Sequence, residues 1–278
     1  MQDAFAYCAE LVRANDRDRY LATLFAPAEN RGALYALYAF SSEVARVREV
    51  ARQPLPGEIR LQWWSDVLRG ERSGEASANP VASALLAAIK QYHVAPSSLI
   101  DLIDARRFDL YDEAMAGIAD LEAYARRTSS ALFALAARIL SGSEAEAVAE
   151  PAGIAYAIVG LLRALPLHAA RRQLYVPAEI LDPHQVRTED LFAGRSGPGL
   201  SAALAELRNL ARQHLAAASN HMVELPKAAL PAFLPLALVR PSLARLQRSD
   251  PFAPAEIAPW RRQWLIWRAA RDPARIAS

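Results

Sequence analysis

Cysteine is nearly absent. Cys8 stands alone in 278 residues, which excludes a disulfide framework and any cysteine-based zinc site. A reducing compartment is the natural setting for such a chain. Glycine is sparse, at 11 residues, which argues against a glycine-rich α/β or all-β architecture. Lysine is reduced to Lys90 and Lys227 among 32 basic residues, so thirty are arginine. A GC-biased genome accounts for that enrichment. The competing reading is selection for the guanidinium fork, the better phosphate ligand, so each Arg position has to be read by itself. The net charge is only +2, too near neutral for an obligate nucleic-acid binder. No clean apolar run exceeds Ile154–Leu162, well short of the roughly 20 residues of a membrane span. The first residues carry acids early and lack an apolar h-region, so neither a secretory signal nor a transit peptide is expected. A soluble, cytoplasmic protein is.

Apolar material, by contrast, is plentiful. Hydrophobic residues make up 53% and charged residues 22%, enough for a large core and incompatible with a disordered chain. Their spacing is helical nearly everywhere. From Glu29 to Val50 the residues Leu34, Leu37, Tyr38, Val44 and Val47 recur at gaps that keep one helix face. Asn79-Pro80 reads as an N-cap and first helical residue, opening a helix to about Tyr92. Asp120 is placed to cap a helix over Leu121–Leu140. Ser143 with Glu146 reads as a capping box for a helix running toward Leu162. Pro198–Glu224 is a further long helical pattern. Pro226, Pro231 and Pro235 then predict short or kinked helices, and a last helix is expected from about Pro254 to Arg271. There is no strand alternation and no internal repeat. Residues 1–278 therefore read as one all-α domain of roughly ten helices.

Two blocks carry chemical information: Tyr20–Val50 and Gly153–Pro177. With the Ala33–Phe40 helix, Leu121–Tyr124 and the Arg172–Pro177 ending, they resemble the squalene/phytoene synthase family over nearly the whole chain. The resemblance implies an isoprenoid-synthase-like helical bundle with a central apolar cavity. It also implies two facing helices, each bearing an Asp-x-x-x-Asp pair. Spacing of i, i+4 puts both carboxylates on one helix face, and the four together hold the Mg²⁺ that neutralises a substrate diphosphate.

In this sequence both pairs are degraded. The first falls on Ala45 and Glu49, beside Arg46 and Arg48. The second falls on Ala164 and His168. Ala157 and Gly160 replace the amide side chains that the family carries just upstream. One carboxylate between two guanidinium groups is a poor cation site, so no metal and no Mg²⁺ cofactor is expected. Phe40–Arg48, Leu61–Trp64, Leu162–Arg172 and Leu230–Pro235 are similar to one branch of the family. It contains the mitochondrial respiratory complex I assembly factor 6 group and its bacterial relatives. That branch implies a non-catalytic accessory or assembly role around respiratory NADH dehydrogenase, with an isoprenoid, quinone or lipid tail as ligand and a peripheral place on the inner membrane. The alternative is an active prenyl transferase of isoprenoid biosynthesis that handles prenyl diphosphate through arginine. Either way the candidate anion-binding set is Arg46, Arg48, Glu49, Arg163, His168, Arg171, Arg172 and Tyr175, with guanidinium forks replacing the metal.

Each group also has a plainer role open to it. Arg46 and Arg48 fit a solvated helix surface, and Arg171-Arg172 fit a helix C-terminus whose carbonyls need donors. His168 fits a structural hydrogen bond, Cys8 an inert thiol, and His214 and His221 lack a third zinc ligand. Trp63-Trp64 beside Asp66 read as core plus rim, or as a ligand lid. Trp260, Trp264 and Trp267 form an aromatic stripe at i, i+4, i+7 with arginines on other faces. Core packing and docking on anionic lipid both remain open for it.

Overall fold

The computed structural model describes residues 2–51 and 53–277, and among them there is no strand. The chain begins with α1 (Gln2–Asn15), α2 (Arg17–Thr23), α3 (Ala28–Ala45), α4 (Val47–Val50), α5 (Pro54–Arg69) and α6 (Ser73–Ala78). It continues with α7 (Pro80–Tyr92), α8 (Pro96–Arg106), α9 (Ile118–Ala125), α10 (Ala131–Ser141), α11 (Glu146–Arg163) and α12 (Leu165–Ala170). The last elements are α13 (Ala178–Leu181), α14 (Thr188–Phe192), α15 (Pro198–His221), α16 (Leu230–Phe233), α17 (Val239–Arg248) and α18 (Pro259–Arg271). The architecture is all-α, as the periodicity requires, but the long patterns are cut into more pieces than the ten expected.

Local chemistry explains most of the cuts. Asn79 caps α7 as read from the sequence: its side chain accepts from the Val81 and Ala82 amides at 2.9 and 3.0 Å. Two other caps differ from expectation. Asp120 sits inside α9, where its carboxylate accepts from the Gly117 amide at 3.0 Å, so Gly117 is the N-cap. Ser143 makes no capping box with Glu146; its hydroxyl accepts from Ala145, which adopts φ +49° before α11. Nor is Leu121–Leu140 one helix. A π-turn at Arg126–Ser130 separates α9 from α10. It packs where α11 comes unusually close: a Cβ on Gly153 would lie 2.2 Å from the Ser130 Cα, so only glycine fits. The Ser130 hydroxyl then donates to the Glu150 carbonyl at 2.7 Å. Pro166 ends α11 by removing an amide donor. The last helix starts at Pro259, not Pro254.

α11 lies at the centre, against α10, α15 and the π-turn, while α1, α3 and α7 pack as a second group. The buried apolar residues join into one core running from Cys8 to Ala277. Lys227–Arg248 is long and apolar enough to cross a membrane by length and composition. In the fold it is a series of short helical pieces, with more than half of the stretch buried.

Candidate functional site

The two degenerate segments do face each other. α3 breaks at Arg46 and resumes as α4, while α11 breaks at Ala164 and resumes as α12. Glu49 projects from α4 between two guanidinium groups. Its Oε2 accepts from Arg46 Nε at 2.9 Å, and its Oε1 accepts from Arg171 Nη1 at 3.2 Å, across the gap between the segments. Both carboxylate oxygens are thereby engaged. These hydrogen bonds and the positive charge of Arg46 and Arg171 hold the Glu49 carboxyl below its ordinary range, despite partial burial. Arg46 also donates to Asn15 Oδ1 at 2.9 Å. Arg48 pairs with Asp112, 2.9 Å away.

Of the other candidate residues, His168 and Tyr175 lie deeper. Their rings are 4.6 Å apart. Burial pushes the His168 imidazole down to about 4, with Arg171 and Arg106 adding to the effect, so it is neutral near pH 7. Tyr175 donates to Asp109 Oδ1 at 2.7 Å. Arg163 and Arg172 leave the group. Arg163 points toward α2, 3.8 Å from Asp18. Arg172 adopts φ +55° after α12 and stacks on Phe192, 4.7 Å from the ring centre. Backbone amides, not the guanidinium groups, close the end of α12, through Arg171 and Arg172 to His168 and Ala169.

Two buried polar clusters escaped the sequence reading. In one, Asp109 accepts from Tyr124, Tyr175 and Arg106, and Gln173 donates to the Asp109 carbonyl at 3.0 Å. Burial first, and the Asp109 charge next, push the Tyr175 hydroxyl far above its usual range. In the other, Asp18 lies 3.2 Å from Arg262 and takes a weak hydrogen bond from Tyr156 at 3.4 Å. Burial, then Asp16, raises the Asp18 carboxyl against the pull of Arg262, Arg163 and Arg19. Neither cluster has a spacing signature as a whole, because its members come from separate elements of the chain.

Beneath His168 and Tyr175 runs the apolar slot, between Leu121, Ile158, Leu162, Leu165 and Leu207. It holds about 10 Å³, the space of a single water at most. Ligand pockets are typically about 300–1,000 Å³. The side chains that line the slot therefore leave no ligand-sized space there.

The remaining groups take plain roles. His214 reaches Glu122 at 2.9 Å and His221 reaches Glu224 at 3.2 Å. Cys8 is fully buried, and burial pushes its thiol up to about 12. Trp64 is core, edge-on to Phe40, while Trp63 donates to Glu75 at the rim. The Trp stripe, however, is not core: Trp260, Trp264 and Trp267 are 70%, 45% and 44% exposed.

A model of the squalene/phytoene synthase family matches residues 12–268. The chain belongs to that family. Within it, NADH dehydrogenase (ubiquinone) complex I, assembly factor 6 from Homo sapiens is 32% identical over 246 residues, 88% of this chain and 74% of the human protein. Phytoene synthase from Thermus thermophilus is 29% identical over 208 residues, 73% of this chain and 69% of that enzyme. A dehydrosqualene synthase solved with ligand superposes with a TM-score of 0.85 at 19% identity, covering 97% of this chain and 96% of the other. That last likeness concerns the fold.

The family's Mg²⁺ does not fit the donors present. Among the described residues no group of three or more His, Cys, Asp or Glu side chains converges on one point. Glu49 already serves two arginines, and the other carboxylate at the mouth, Asp112, pairs with Arg48. Mg²⁺ at a phosphate site needs one or two free carboxylates beside the substrate phosphates and waters, and Glu49 is held between two guanidinium groups whose charge repels a cation.

Proposed function

We propose that the chain is an accessory or assembly factor for a respiratory NADH dehydrogenase, built on a synthase fold that no longer performs prenyl transfer. One observation carries this reading: Arg46, Glu49 and Arg171 bridge the two segments on which, by the resemblance, the family's acidic pairs fall. The identity to assembly factor 6 supplies the kind of work. Mg²⁺ is not a cofactor in this reading.

Direct use of arginine on a prenyl diphosphate has less support. The mouth brings together Arg46, Arg48 and Arg171 against Glu49 and Asp112, a net of one positive charge. His168 adds none while neutral. A diphosphate without metal carries more negative charge than that can offset. An isoprenoid or quinone tail could enter only if Leu162, Leu165 and their neighbours moved apart.

Deletion of the gene in its host tests the reading. The expected result is a loss of assembled NADH dehydrogenase on native gels, restored by the wild-type gene. Unchanged levels of the complex, together with product formation from farnesyl diphosphate and Mg²⁺ by the purified protein, would establish the transferase instead. Native mass spectrometry of the same preparation reports any co-purified isoprenoid.

A further inference from the structure

The last helix, α18, is amphipathic in an inverted sense. Ile266 and Ala269 are buried, each 1% exposed, against the 234–238 turn and α2. At about 100° per residue, Trp260, Trp264 and Trp267 lie on the opposite side, turned outward. Three large aromatic side chains in one exposed line are unusual on a soluble surface and mark a contact. The helix carries Arg261, Arg262, Arg268 and Arg271 and no acid. Arg268 covers the Trp264 ring at 4.5 Å and Arg271 the Trp267 ring at 4.6 Å, so cation and indole stand side by side.

The positive field extends beyond the helix. A surface hollow of about 270 Å³ is lined by Arg13, Arg17, Tyr20, Pro259 and Arg262. Leu24 and Phe25, about four-tenths exposed, sit at the end of α2, which packs on α18. With Arg262 paired to Asp18 and Arg13 to Glu10, Arg17, Arg261, Arg268 and Arg271 are the cations that remain for an anionic partner. Indoles next to guanidinium groups match the boundary of a bilayer, where the ring sits among headgroups and the cation meets phosphate.

We infer that α18 is a docking helix for a bilayer containing anionic phospholipid, with the Trp stripe entering the headgroup layer and the arginines pairing with lipid phosphate. The inference stands on surface chemistry alone and holds whether or not the chain serves a respiratory complex. Attachment of this kind is reversible, since a stripe of three rings buries far less apolar surface than a spanning helix.

The test is co-sedimentation of the full chain with vesicles of phosphatidylcholine alone or mixed with phosphatidylglycerol. The wild-type protein binds the mixed vesicles at low salt, leaves them at high salt and ignores the neutral ones. W264A/W267A loses at least about ten-fold in partitioning with an unchanged melting temperature, because both rings are half in water. R17A and R261A each weaken binding by about five-fold, the loss expected for one charge removed near the surface. Absence of binding to anionic vesicles at low salt overturns the inference. So does a W264A/W267A protein that binds like the wild type, or one whose melting temperature collapses.

Discussion

Two polar groups stacked one above the other behave in opposite ways. At the mouth, Arg46, Glu49 and Arg171 are 50%, 33% and 36% exposed, so water screens their attraction and little stability depends on them. Deeper in the fold, Asp109 is 6% exposed and holds two tyrosines and an arginine. There an unpaired charge has no water to turn to, and removal of one partner is costly. The contrast separates the polar groups that the fold needs from those it does not. The mouth residues are exchangeable because the fold does not rest on them, while the network beneath ties α8, α9 and the 173–177 segment together.

The largest effect is therefore expected from Asp109→Ala. It strands Arg106, whose guanidinium pairs with no other carboxylate among the described residues, and two phenols lose their acceptor. The cost is about 3–5 kcal/mol, a fall in melting temperature on the order of 10 °C for a domain of this size. Thermal melting followed by circular dichroism measures it. A variant that melts with the wild type would show that the tyrosines, not the carboxylate, hold this region.

Tyr175→Phe sharpens the same point. Asp109 keeps Tyr124 and Arg106, so one charge-assisted hydrogen bond is lost and the packing of the ring on Phe108 and His168 stays. About 1.5–3 kcal/mol follows, less than for Asp109→Ala. Equal losses for the two variants would mean that the ring position, not the carboxylate, is the shared requirement.

A pH titration separates the two levels without mutation. The His168 imidazole titrates at about 4 in the fold and near 6.5 when free. Its folded value is depressed, so its stabilising contribution is complete above pH 6.5 and is lost as the pH falls from 6.5 to 4. In that window the unfolded chain binds one proton more than the folded one, which gives a slope of up to about 1.4 kcal/mol per pH unit. Urea unfolding at stepped pH values checks it, and His168→Phe should flatten the slope between 6.5 and 4. Persistence of the full slope in that variant would assign it to other groups.

How much of this could be read from the chain differs between the two levels. Loss of the acidic pairs is a matter of identity at Ala45, Ala164 and His168, so it was visible directly. The bridge that replaced them was not, because Glu49 and Arg171 are 122 residues apart and meet only through the helix breaks at Arg46 and Ala164. The helices followed from apolar spacing, and the α7 cap from Asn79-Pro80. The π-turn at Arg126–Ser130 did not, since its cause is the close approach of Gly153, a tertiary contact. The Asp109 cluster stayed hidden for the same reason. Arg106 and Asp109 are three apart, but Tyr124 and Tyr175 reach them from other elements. The Trp stripe could be seen as a stripe, while which side of α18 the core claims was decided by Ile266 and Ala269.

The smallest effect belongs to the mouth. Arg46→Ala removes one exposed ion pair and a hydrogen bond to Asn15. Double-mutant cycles on such exposed pairs give about 0.2–1 kcal/mol, so the melting temperature should move by no more than about 2–4 °C. Glu49→Gln should cost as little, because Arg46 and Arg171 can turn to water. A cycle combining the two variants isolates the pair, and its coupling should shrink with added salt. Calorimetric titration of the same proteins with Mg²⁺ then completes the comparison. The wild type should give no binding heat, and Arg46→Ala should not create a site, since freeing one oxygen of Glu49 still leaves a single carboxylate beside Arg171. A micromolar Mg²⁺ site in either protein would mean that donors beyond Glu49 converge at the mouth, and that the old metal chemistry survives there in another form.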